Sequence, residues 1–175
     1  LFQPLFHVQS GGNITILPIA LGESEYQFVT DLKDWCDKNN HLMKSTGMEL
    51  FLLRNLSRGK GVGFFEAGNF HPDFILWMLS GDKQYVHFIE PHGLMHEGIN
   101  SPKIQFHKTI KDIEARLGDP NVILSSWILS WTPKNELKLR GYDPEEYMRN
   151  NVVFMEDTDE YINRVFQLED LGDHV

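Results

Sequence analysis

Apolar residues recur at the helical period between Glu25 and about Asn39, where Phe28, Val29, Leu32 and Cys36 fall within one narrow stripe. Leu21-Gly22-Glu23-Ser24 ahead of it has the character of a helix start, with acids in the first turn where the macrodipole favours them. Glu25 lies in the middle of that stripe, whereas Glu23 points roughly the opposite way. A carboxylate on the core-facing side of a helix costs free energy unless it is paired or binds metal. Glu25 is therefore the more informative acid. Upstream, residues 1–20 alternate short apolar runs with Gly11-Gly12 and read as a strand or two leading in.

The pattern then changes. After a turn at Ser45-Thr46-Gly47, Met48 to Arg54 is a mostly apolar run of strand length. A glycine-rich turn from Arg58 to Gly63 leads to Phe64-Phe65 as a second strand; Phe74 to Leu79 gives a third, and Ser80-Gly81-Asp82 a hairpin turn into a fourth from Tyr85 to Glu90, stopped by Pro91-His92-Gly93. Pro102 precedes a second helix in which Phe106, Ile110, Ile113 and Leu117 share a face, ended by Gly118-Asp119-Pro120. Val122 to Trp131 makes another strand, stopped by Pro133. Residues 134–175 read as a peripheral acidic extension: a short helix near Pro144 to Asn150, a strand at Val152 to Met155 and an amphipathic helix from about Asp159 to Phe166. Helix, three or four strands, helix, strand is the order of an α/β fold with helices flanking a central mixed sheet, here expected as one domain over residues 1–175.

Composition narrows the class. With 41% hydrophobic and 12% aromatic residues in 175, there is ample material for a core. No run of about 18 apolar residues appears, so no membrane span is expected. The one cysteine, Cys36, rules out an internal disulfide framework and a Cys-rich zinc site. A start at Leu1, with no basic region ahead of the apolar stretch, suggests a fragment of something longer. Sixteen Lys and Arg against 25 Asp and Glu give a net charge of −9, which on its own disfavours nucleic acid, because non-specific binding is driven by phosphate neutralisation. A site for divalent cations needs carboxylates, however, and another domain can supply a basic track.

The strongest candidate chemistry is His71-Pro72-Asp73 followed by Glu90-Pro91-His92. A turn separates the two strand-like runs, so a hairpin can bring Asp73 and Glu90 together. Glu90 and His92, at i and i+2 of a strand, share a face roughly 7 Å apart if Pro91 leaves the chain extended. Converging carboxylates repel unless one is protonated or a cation sits between them. A hard divalent metal with oxygen ligands suits that arrangement. Simpler readings stand beside this one: Asp73 as a turn cap after proline, and Glu25 paired with an arginine such as Arg54.

Pro72-Asp73 … Glu90-x-His92, with an acid on the preceding helix, resembles the PD-(D/E)xK nuclease signature. That spacing alone is a weak motif. More specific is the surrounding text: Leu21-Gly22-Glu23-Ser24-Glu25, Phe28-Val29, Leu53-Arg54-Asn55, Gly61-Val62-Gly63-Phe64-Phe65-Glu66-Ala67-Gly68-Asn69-Phe70, Pro72-Asp73-Phe74-Ile75-Leu76-Trp77 and Phe88-Ile89-Glu90-Pro91-His92-Gly93. Together, over roughly residues 4 to 166, they resemble the C-terminal region of restriction-type (type III-like) helicase–nucleases. The resemblance implies a restriction-endonuclease-like αβββαβ core and hydrolysis of DNA phosphodiester bonds with Mg²⁺ or Mn²⁺. By position it implies Asp73 and Glu90 as metal ligands, the Pro91 carbonyl as a third, and Glu25 as the helix acid that completes or orients the site. It further implies an N-terminal DEAD/DEAH-like helicase/ATPase part of the same polypeptide, a modification subunit as partner, a bacterial or archaeal cytoplasm, and products with 5′-phosphate and 3′-hydroxyl ends.

One departure matters: the third signature position, usually Lys, is His92. Neutral, His92 can accept a proton from water; charged, it can stabilise phosphate; it can also ligate metal and tilt preference toward Mn²⁺. The alternative is a catalytically weakened or inactive module for DNA or protein interaction beside the motor. His92 and His96 lack the company a zinc site needs. The Gly59 to Gly63 run lacks Walker spacing, Lys108 and Lys111 read as a solvated helix face, and Trp127 and Trp131 read as packing.

Overall fold

In the computed structural model, residues 20–56, 61–65 and 68–167 are described. The stripe around Phe28 folds as helix α1 (Glu23–Lys38), which buries Phe28, Leu32 and Trp35. Its start is fastened by Glu25, the third helical residue, whose Oε2 accepts from the Gly22 N–H at 2.6 Å. A short helix α2 (Asn40–Thr46) follows that buries none of its residues. Strands β1 (Glu49–Arg54), β2 (Phe74–Ser80) and β3 (Lys83–His92) come next, then helix α3 (Pro102–Leu117) and strand β4 (Val122–Ser130). Helices α4 (Lys134–Leu139) and α5 (Pro144–Met148), strand β5 (Val152–Phe154), a 3₁₀ turn and helix α6 (Asp159–Phe166) complete the described chain.

The five strands lie in one mixed sheet in sequence order, β1 to β3 antiparallel and β3 to β5 parallel. Helices cover both faces, which is why β2 is apolar almost without interruption and the serines of β4 are buried. On one face α1 and α6 pack Phe28, Trp35, Tyr161 and Phe166 against Phe74, Leu76, Ile89 and Leu129. On the other, Phe106 and Ile110 of α3 pack against Ile75, Phe88 and Leu124. Helix α3 starts on Ser101, whose Oγ accepts from the Ile104 N–H, with Pro102 in its first turn. It ends on Gly118 at φ 68°, a left-handed conformation glycine takes without strain.

Several expectations are corrected. Phe64-Phe65 form no strand; Phe64 makes an isolated bridge to Phe70, so three antiparallel strands, not four, precede α3. Leu117, placed by periodicity on the buried face, is the last residue of α3 and is 55% exposed. Trp127 is buried, whereas Trp131, expected as packing, is 48% exposed just beyond the end of β4. The segment expected at the periphery supplies edge strand β5, and α6 buries Tyr161, Ile162, Val165 and Phe166 in the core beneath α1. The expected strands of residues 1–20 lie, but for Ala20, outside the described residues, as do part of the glycine-rich run and the acidic tail. No helix among the described residues is long and apolar enough to cross a membrane.

Candidate active site

The β2–β3 ladder pairs Phe74 with Ile89, and one step beyond it Asp73 falls beside Glu90. The Asp73 N–H donates to Glu90 Oε2 at 3.2 Å. Asp73 is held from the other side too, because its carbonyl accepts from the Asn55 N–H at 2.7 Å. The Asn55 amide group donates to the Pro72 and Val62 carbonyls at 2.8 Å each, and its Oδ1 accepts from the Val62 N–H at 2.9 Å. Asn55 thus ties the end of β1, the loop at 61–63 and the residue ahead of Asp73 into one frame. Gly63 belongs to it, since a side chain there would run into the His71 ring.

Glu90 is buried near the end of β3, on the same face as Phe88 and His92. Its Oε1 accepts from Lys103 Nζ at 2.9 Å. Lys103 belongs to the first turn of α3, and its amine also stands 6.0 Å from the centre of the Phe70 ring. From the opposite face α1 delivers Glu25, which Arg54 at the end of β1 grips at 2.9 Å, both side chains largely buried. The Glu25–Arg54 pairing weighed from sequence is therefore present. Ser24 of α1 donates to the Pro91 carbonyl at 3.4 Å. The first turns of α1 and α3 thus meet the same end of β3.

Two ion pairs, Glu25–Arg54 and Glu90–Lys103, flank Asp73. Burial pushes the Asp73 carboxyl up to about 8, helped by the Glu90 and Glu25 charges and opposed by Lys103 and Arg54. Among the described residues no hydrogen-bond donor reaches the Asp73 carboxyl, so only the charges of Lys103 and Arg54 favour its ionised form. Burial works against the charge on Lys103, but Glu90, by charge and hydrogen bond, with Glu97 and Asp73, raises the amine above its usual value. His92 is lowered by burial and then by Lys103, against weaker opposition from Glu90 and Glu97, so the ring is neutral at pH 7. Its Nε2 lies 3.8 Å from Glu97 Oε1. His96 is exposed.

Asp73, partly buried, and Glu90, buried, stand side by side; freed of the proton and of the ammonium, their oxygens are the ligand type a hard cation takes. Among the described residues no three His, Cys, Asp or Glu side chains converge into a metal cluster, because Glu25 is turned onto Arg54. Beside the acids an open cleft of about 420 Å³ is lined by Asn69, Phe70, His71, Glu97, Ser101 and Lys103.

Lys103 is the residue the sequence reading passed over. A signal was present: a cation in the first turn of a helix opposes the macrodipole and calls for an acid partner. Of two further acids near these elements, Glu66 lies outside the described residues and Glu49, at the start of β1, is exposed. Lys108 and Lys111 are exposed, Lys111 paired with Glu114. No family model, curated protein or solved structure matches the chain.

Proposed function

We propose that the chain is a nuclease domain that hydrolyses DNA phosphodiester bonds with Mg²⁺ or Mn²⁺, on a restriction-endonuclease-like αβββαβ core and beside a helicase/ATPase motor. The observation that carries this reading is Asp73 and Glu90 side by side, joined through the Asp73 N–H. The element order, three antiparallel strands then a helix and a parallel strand, agrees with it.

Asp73 and Glu90 would hold the cation, with the Pro91 carbonyl next along β3. Glu25, set by Arg54, orients the acids from the α1 side. When bound, the cation would neutralise charge on the phosphate and make a nearby water more acidic. Water adds its oxygen to phosphorus, the bond from phosphorus to the 3′ oxygen breaks, and that oxygen leaves with a proton as a 3′-hydroxyl opposite a 5′-phosphate. Neutral His92 is in the form that accepts the proton lost by the attacking water.

Plasmid DNA incubated with the protein and Mn²⁺ should be nicked or linearised, with chelator abolishing the effect and Asp73→Ala losing it while keeping a native melt. Cleavage surviving in Asp73→Ala would refute the assignment. A second reading, a non-catalytic interaction module, is favoured by Glu90 being held by Lys103 and by His92 at the third signature position. Calorimetry separates the two. Mn²⁺ binding that disappears with Glu90→Ala supports the nuclease, and no binding at millimolar metal supports the module.

A further inference from the structure

We propose that Lys103 is an exchangeable cation of this site: it neutralises Glu90 in the resting protein, gives way to the metal, and then turns to the phosphate of the substrate. The inference rests on the nuclease reading and names a residue that the signature does not. Lys103 lies outside the signature strand, 13 residues beyond Glu90, on another element.

Three observations support it. First, the ammonium sits where a divalent ion would have to act, 2.9 Å from one oxygen of Glu90, while the other oxygen is taken by the Asp73 N–H. Metal and Lys103 therefore compete for the same carboxylate. Second, Lys103 is not sealed in: its side chain is 34% exposed against 8% for Glu90, and it lines the open cleft beside the acids. A long, flexible stem rooted at a helix start can swing its amine from the acid to the cleft without moving the backbone. Third, no other described cation contacts Glu90, since Arg54 is committed to Glu25 and the Ala20 carbonyl. A displaced Lys103 brings a fixed charge to the cleft where a phosphate would lie.

The exchange predicts opposite effects on two readouts. Lys103→Met keeps the aliphatic stem and removes the charge. Without its competitor, Glu90 should take Mn²⁺ several-fold more tightly by calorimetry. Single-turnover cleavage at saturating Mn²⁺ should nevertheless fall on the order of 100-fold, as for other lost charge-stabilising donors. Lys103→Arg, which retains a cation, should restore wild-type Mn²⁺ affinity and part of the rate. A merely structural ion pair would behave otherwise, since its loss would leave the cleavage rate at saturating Mn²⁺ unchanged. Thermal melts without metal confirm that both variants are folded. A wild-type protein that binds Mn²⁺ alongside a Lys103→Met variant that binds it no tighter, or cuts at the wild-type rate, overturns the exchange alone. A wild-type protein that neither binds Mn²⁺ nor cuts overturns the nuclease reading and the exchange with it.

Discussion

Asp73→Asn should stabilise the metal-free protein while abolishing its response to metal, and the size of the gain follows from one proton. The folded Asp73 carboxyl titrates near 8, against the model value of 3.8, because burial and the Glu90 and Glu25 charges hold its proton on. Between those values the folded chain binds a proton that the unfolded chain has released. The contribution of Asp73 to stability is therefore complete below about pH 4 and declines as pH rises toward 8. For a full proton the slope is about 1.4 kcal/mol per pH unit. The asparagine cannot ionise, so its curve lacks that decline. From about pH 5 to pH 7 the two proteins should separate by about 2–3 kcal/mol, a melting difference of roughly 5–10 °C for a chain of this length. The comparison is best made as a difference between proteins, because buried His87 titrates in the opposite sense. Thermal melts in chelator at several pH values would measure it, and adding Mn²⁺ should raise the wild type alone. Parallel stability–pH curves for the two proteins would refute the reasoning.

Further tests bear on the frame around the acids. Burial lowers the His87 ring to about 3, so its contribution is complete above about pH 6.5 and is lost as pH falls toward 3; His87→Gln should flatten the acid limb of a stability–pH curve at some constant cost. Arg54→Met leaves Glu25 buried without its partner and should destabilise by about 2–4 kcal/mol in urea melts. Ser101→Ala removes the cap of α3 and should cost about 0.5–1 kcal/mol, with a matching loss of helical signal on heating if the cap bond of 3.4 Å contributes.

The parts of this molecule legible in sequence are those whose side chains repeat. Phe28 and Leu32 mark α1 because a helix against a sheet needs an apolar stripe, and β2 and β3 stand out because both of their faces are covered. The meeting of Asp73 and Glu90 was readable because the hairpin register follows from the Ser80-Gly81-Asp82 turn. Helix α2 left no trace because it buries nothing. Phe64-Phe65 misled because an apolar pair reads as strand whether or not a neighbour pairs with it; among the described residues only Phe70 does. The Lys103–Glu90 contact left a fainter signal: a cation in a helical first turn calls for an acid, but no periodicity points from one such side chain to its partner.

The placement of α1 and α3 sets a local field that differs from the overall charge. Both helices direct the positive ends of their dipoles toward the last residues of β3, and Arg54 and Lys103 stand at the same place, on a chain whose formal charge is −9. A polyanion approaching from bulk solvent meets repulsion first and attraction only within the last several ångströms, inside the screening length of about 8 Å at physiological salt. Added salt then weakens the outer barrier more than the inner hold. Under the nuclease reading, moderate ionic strength should quicken the first encounter with DNA, the reverse of the usual behaviour of a basic binding surface.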